Sequence, residues 1–191
     1  MTNLFKLESS IYIDYGLTKV PNLKDQSIFL GKIIDENLLP ELAFEVNFPD
    51  NSTIPHFLTG GSVLASKAFI HALSDSGITN FQAFPAHVIN PSTRKHWEDF
   101  FLFNVLGLLK VADMDASDYD VIMEGDAEGV DVPLVAFRSI TIDAVKVKNM
   151  PMFRLAENPG ALIVDQKVVD ALKKYRPQGG WGIDLVKVDA I

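Results

Sequence analysis

The chain has 191 residues, 48% of them hydrophobic, with 13 phenylalanines and a formal net charge of −8. That length and apolar content can supply a sizeable core and exclude a disordered polypeptide, while the acidic balance argues against a nucleic-acid surface, which needs clustered Lys and Arg. Cysteine is absent, which excludes disulfides and thiolate metal sites and fits a reducing cytoplasm.

The opening stretch MTNLFKLESSIYIDYG lacks a basic region followed by an apolar one, so no secretory signal is expected. Ile11 to Tyr15 alternates and reads as a strand, and SIFLG at residues 27–31 is a short apolar run. In Leu38 to Phe48, alternation at Phe44, Val46 and Phe48 after Pro40 predicts a further strand. Pro49-Asp50-Asn51-Ser52 is a turn cluster. With little helical period, the first third reads as a β-rich N-terminal lobe of one domain, with a soft boundary near residue 52.

Gly61 to Val88, GSVLASKAFIHALSDSGITNFQAFPAHV, reads as strand, cap, helix, turn and strand. A similar unit returns at Gly160 to Val188, GALIVDQKVVDALKKYRPQGGWGIDLVKV. With Gly61 placed over Gly160, Ser66 lies over Asp165 and Phe69-Ile70 over Val168-Val169. Ser and Asp suit an N-cap, because a side-chain oxygen accepts from a free amide of the first turn. The apolar residues that follow form one helical stripe in each unit. Turn residues stop both helices, and an aromatic, Phe81 or Trp181, opens the next strand. The similarity is open to two accounts, an internal duplication or two instances of a common unit.

Between the units, Asn90-Pro91-Ser92-Thr93 is a turn, and the dense apolar run Trp97 to Val111 is favoured as a strand by its aromatics. Asn104 and Lys110 interrupt that run, which is too short to span a bilayer. Asp113 to Asp120 is acidic and turn-rich, Val121-Ile122-Met123 is a short strand, and EGDAEGVD at 124–131 is a loop by composition. Val132 to Val147 carries strand signals that Asp143 is expected to break, and Met152 to Leu155 is another strand. The sum is a strand-rich α+β fold.

Chemical motifs are sparse. His56, His71, His87 and His96 lack HxH or HExxH spacing, so no metal site is expected. The acids from Asp113 to Asp120 share the alternating oxygens of a calcium loop but lack its central glycine and closing glutamate. Ser62 in TGGSVLAS lacks the second glycine of a nucleophile elbow, and no phosphate-binding glycine loop occurs. Trp181 reads as a core or edge anchor rather than a ligand stack. No catalytic, cofactor-binding or metal residue is therefore assigned, and no membrane or nucleic-acid partner is expected.

Several residues taken together resemble a known family. Ser66 caps a helix, then come Asn80, Gln82, Phe84 and Pro85, then Asn104 at the end of a strand. An acidic segment follows with Asp113, Asp115, Ser117 and Tyr119, then Phe153-Arg154-Leu155 and a second capped helix at Asp165. Over residues 58–188 this order is similar to the bacterial immunity proteins of polymorphic toxin systems, whose founding member is a myxobacterial immunity domain. Asp165 stands where that family often has Ser, a chemically equivalent cap. The resemblance implies a cytoplasmic antidote that binds one secreted toxin encoded by a neighbouring gene and neutralises it by contact, without catalysis. For a basic toxin, the expected contact residues are Asp113, Asp115, Asp118, Asp120, Glu124, Asp126 and Glu128, because matched charge speeds association. Two other readings compete: a small-molecule-binding domain or small enzyme with a pocket near His56, His87 or His96, and a module acting by strand addition, which could also make it a homodimer.

Overall fold

Unbroken and alternating apolar runs build this protein's strands, and two short stretches of helical spacing build its helices. The computed structural model describes residues 3–10, 14–125, 132–147 and 149–191. In chain order the strands before the first helix are β1 (Leu4–Ser9), β2 (Leu17–Lys19), β3 (Ala43–Val46), β4 (Phe57–Thr59) and β5 (Val63–Ser66). Helix α1 (Lys67–Ser74) leads to β6 (Phe81–Asn90), β7 (Lys95–Val105), β8 (Leu108–Leu109), β9 (Asp118–Met123), β10 (Leu134–Ser139), β11 (Thr141–Ile142) and β12 (Met152–Leu155). The chain ends with β13 (Leu162–Asp165), α2 (Gln166–Lys174) and β14 (Ile183–Ala190). No helix among the described residues is long and apolar enough to cross a membrane.

The strands form two six-stranded sheets, β2-β3-β6-β7-β5-β4 and β11-β14-β1-β13-β12-β8, and a separate β9-β10 pair. The two units expected at 61–88 and 160–188 are present, and their equivalence extends beyond them. β5 and β6 both run antiparallel to β7, which lies between them. β13 and β14 flank β1 in the same sense. β3 runs parallel to β6, as β11 does to β14. The hairpin registers also match: Phe57 pairs Ala65 and Thr59 pairs Val63, while Met152 pairs Val164 and Arg154 pairs Leu162. The units differ in where the central strand comes from. β7 follows β6 directly, whereas β1 is drawn from the start of the chain.

Both caps form as their residue types dictate. Ser66 Oγ accepts from Phe69 N at 3.2 Å, and Asp165 Oδ1 accepts from Val168 N at 3.1 Å. Gly77, at a φ of 70°, closes α1, and Ile78 N reaches back to Leu73 O at 3.1 Å. The helices pack against each other and bury Phe69, Ala72 and Leu73 from one, and Val168, Val169, Ala171 and Leu172 from the other. Trp181 is a core anchor: its Nε1 donates to Leu172 O at 2.7 Å, and its ring stands edge-on to Phe69 at 5.5 Å. A second apolar cluster lies on the far face of the β1-β13-β12 sheet, around Leu4, Ile142, Phe153 and Ile163. β13 is thus buried on both faces, which explains its unbroken apolar run.

Several expectations are corrected. The strands of the first third join both sheets rather than forming one of their own. β1 escapes the sequence pattern because Leu4 and Leu7 face different clusters, so no simple alternation shows. The expected strand at 11–15 falls largely on residues outside those described, and Tyr15 is not in a strand. The run from Trp97 is a strand only to Val105. It breaks at Gly107, where φ is 137° and a Cβ would collide with the Met150 sulfur. Residues Ala144–Val147 form a 3-10 turn rather than a strand, started by Asp143, whose carboxylate accepts from Val145 N at 3.2 Å. The break between β10 and β11 falls at Ile140, ahead of Asp143.

Asp165→Ala removes the cap of α2 and is expected to cost about 1 kcal/mol in urea denaturation, while Asp165→Ser retains most of the stability.

Candidate functional site

Most of the sequence motif is structural. Gln82 pairs with a single residue of the loop before β3: its Oε1 accepts from Ile34 N at 2.8 Å and its Nε2 donates to Ile34 O at 3.0 Å. Asn104, directly across the β6–β7 register, donates to Gln82 Oε1 at 2.9 Å and to Lys32 O at 2.8 Å. Asn80 Nδ2 donates to Leu106 O at 3.1 Å and Met152 O at 2.6 Å, joining the end of β7 to β12. The Gln82 and Asn104 amides give Lys32 and Ile34, which lie in no strand, backbone partners. Phe153 and Leu155 are core, and Phe84 is buried.

The acidic segment divides. Asp113 is half-buried and caps a turn, its Oδ1 accepting from Asp115 N at 3.0 Å and Ala116 N at 2.9 Å. Ser117 and Thr141 fasten that turn to β11, with Thr141 N donating to Ser117 Oγ at 3.0 Å. Asp118 and Asp120 were expected in a turn but lie on β9. Both clasp Arg138 of β10, at 2.6 and 2.5 Å, and these carboxylates hold the guanidinium above its ordinary pKa. Asp115 and Glu124 are exposed, while Asp126 and Glu128 lie outside the described residues.

What sequence reading missed is the apolar surface among these acids. Val121 is 47%, Ile122 62% and Met123 53% exposed, three consecutive residues of one strand. Among the described residues their strand pairs with β10 alone, by an antiparallel register that sets Tyr119 against Phe137. β10 is tied to the rest of the molecule where Val135 N donates to Glu157 O at 2.9 Å and Asn158 Nδ2 donates to Val135 O at 3.0 Å. The large sheets end in strands of two or three residues, β11 and β8 or β2 and β4, and β11 pairs β14 only at Asp189 and Ala190. β9 is a six-residue edge with exposed apolar side chains. The signal was present in the sequence as VIM between acids, but exposure depends on where the hairpin docks.

Of the positions weighed for a pocket, His56 lies in a cleft while His87 and His96 do not. His56 and His71 line a cleft of about 540 Å³ with Ser66, Trp97, Asp99 and Phe100. His87 and His96 are exposed on β6 and β7, away from it. His56 Nδ1 and Ser66 Oγ are 2.8 Å apart. Ser66 Oγ also accepts from Phe69 N, and the imidazole tautomer decides which member of the His56–Ser66 pair donates. Burial disfavours the charged imidazole and lowers the His56 pKa. No hydrogen bond joins His56 to a carboxylate among the described residues. Nor do three metal-ligating side chains come together there.

A histidine kept neutral in the folded state contributes stability above its unfolded pKa of 6.5 and loses it as pH falls below that value. His56→Asn keeps an acceptor and removes this titration. The stability advantage of the unsubstituted protein over His56→Asn is therefore expected to shrink between about pH 7.5 and 5.5, as read by urea denaturation. The carboxyls of buried Glu157 and half-buried Asp165, both raised by burial, act with the opposite sign but equally in both proteins.

No curated protein gives a significant match to the chain. The model of the immunity protein family (Imm11) matches residues 40–190, which takes in β3 through β14, including both units, the side chains of Asn80, Gln82 and Asn104, and the hairpin. The chain belongs to the immunity protein family (Imm11).

Proposed function

We propose that this immunity protein binds a cognate secreted toxin in the cytoplasm and blocks it by protein–protein contact, without catalysing a reaction. Family membership supports the immunity role. The observation that carries the choice of surface is the β9–β10 hairpin, where Val121, Ile122 and Met123 stand exposed between Asp118–Asp120 and Glu124. Apolar side chains that become desolvated at the centre of an interface supply most binding energy, and surrounding charge mainly sets on-rate and partner choice. On this reading Asp113, Asp115, Asp118, Asp120 and Glu124 draw in a basic toxin surface, and the apolar strand holds it. Arg138 keeps Asp118 and Asp120 in place, so a partner's cations must compete with it.

One observation favours a second reading, a small-molecule pocket: the cleft that holds the His56–Ser66 pair. The cap made by Ser66 explains that pair without a ligand.

Calorimetry with the C-terminal toxin domain encoded beside this protein tests the first reading. Ile122→Asp is expected to weaken binding at least ~10-fold at unchanged thermal stability, because the side chain is exposed in the free protein. Asp118→Lys with Asp120→Lys is expected to slow association and flatten its salt dependence. Affinity unaltered by all three substitutions would remove the hairpin from the interface.

A further inference from the structure

β14 has one paired edge and one largely open edge. Gly182 O accepts from Ser10 N at 2.9 Å, so along the antiparallel ladder the backbone groups of Asp184, Val186 and Val188 face β1. Those of Ile183, Leu185 and Lys187 point the other way. Farther along, that outer side is used: Ile191 N donates to Ile142 O at 3.0 Å. β11 reaches only Asp189 and Ala190, however. Among the described residues nothing hydrogen-bonds the outward N–H and C=O groups of Ile183, Leu185 and Lys187.

The first unit differs at the same place. Ser66 pairs Phe100, which pairs Ala86, and the equivalent cap Asp165 pairs Leu4, which pairs Val188. Lys187 therefore stands where β6 has Pro85. His87 N donates outward to Leu42 O at 2.9 Å, so Pro85, two residues earlier, puts a nitrogen without a hydrogen on that edge. A proline closes an edge to strand pairing, whereas the second unit keeps the donor.

A pocket flanks the open stretch on each face. On the helix side Ile183 and Leu185 line one of about 200 Å³ with Val169, Leu172 and Trp181. On the other face Val186, 51% exposed, lines one of about 320 Å³ that extends to Phe137 and Ile140. Alternate side chains of an added strand fall on these two faces, so backbone bonds supply affinity and the pockets select side chains. Lys173 and Arg176 line the first pocket and Lys187 the second, none with an ion-pair partner among the described residues. The open stretch itself carries one acid, Asp184. This cationic border belongs to a chain whose 25 acids outnumber its 17 Lys and Arg.

We infer that the edge of β14 from Ile183 to Lys187 is a strand-addition site for an extended acidic segment of a partner protein. The segment's backbone pairs with the outward groups of Ile183, Leu185 and Lys187. Its apolar side chains enter the pocket beside α2, and its carboxylates meet Lys173, Arg176 and Lys187. A second copy of this chain fits less well, because antiparallel pairing of two such edges brings the same cations together.

The test is a titration of the ¹⁵N-labelled full chain with a short synthetic peptide of alternating valine and glutamate, with a valine–lysine peptide as control. The expected result is a saturable change in the β14 amide signals with the glutamate peptide alone. Hydrogen exchange then slows at Ile183, Leu185 and Lys187, which gain partners, while Asp184, Val186 and Val188, already turned to β1, change little. Lys187→Pro copies the residue of the first unit and is expected to weaken peptide binding at least ~10-fold. Lys173→Glu with Arg176→Glu, both exposed, leaves the edge intact and is expected to weaken it by a similar factor. That pair decides the matter if the proline variant does not fold. Absence of a saturable change at these amides overturns the proposal, as does protection without the alternation. Equal binding of the valine–lysine peptide, or unaltered affinity in the double charge reversal, overturns the acidic assignment. Protection of the same amides without peptide, rising with protein concentration alongside a dimer in light scattering, overturns it in favour of a second copy.

Discussion

The apolar faces of α1 and α2 have to be buried against each other, and the rest of the structure follows from that constraint. Each unit supplies one short helix whose apolar stripe cannot be covered by its own strands alone. Trp181 ties the pair together, because it hydrogen-bonds the end of α2 while its ring packs on Phe69 of α1 and on His56. Phe57, Phe69 and Phe103 extend the same core at ring separations of 5.2 to 6.3 Å. With the helices fixed, one sheet completes itself from β7, and the other draws in β1 from the opposite end of the chain. That long-range pairing is the entropically costly step, since loop closure over nearly the whole chain must precede its reward.

The units were legible in the sequence because their signals are local. Ser66 and Asp165 each precede a stripe of helical period, and the cap acts through its own side chain within three residues. Phe44 and Val46 were legible because β3 is buried on one face only, so its pattern alternates. What escaped was set by tertiary placement. β1 faces two apolar clusters and shows no period. The turn at Ala144–Val147 reads as strand by composition but is organised by one carboxylate, that of Asp143. Gln82 and Asn104 stood out as motif residues, yet their partner, the backbone of residues 32–34, lies far away in sequence.

The candidate surface shows the same division. The acids were visible as a cluster, but a cluster does not show which members are already engaged. Asp113 is used by its own turn and Asp118 and Asp120 by Arg138, which leaves Asp115 and Glu124 as exposed acids without a side-chain hydrogen bond among the described residues. The exposure of Val121, Ile122 and Met123 could not be read from their apolar character, which by itself predicts burial. Beside the short outermost strands of the large sheets, β9 presents a six-residue edge with exposed apolar side chains.

Hydrogen exchange of the free protein and of its complex with the neighbouring toxin domain tests that account most directly, because it reads the interface without altering a residue. Toxin binding is expected to protect backbone amides over residues 118–125, with little change around Ser66, His71 and Trp97. Protection confined to the cleft at Ser66 and Trp97, with β9 exchanging as fast as in the free protein, would contradict it.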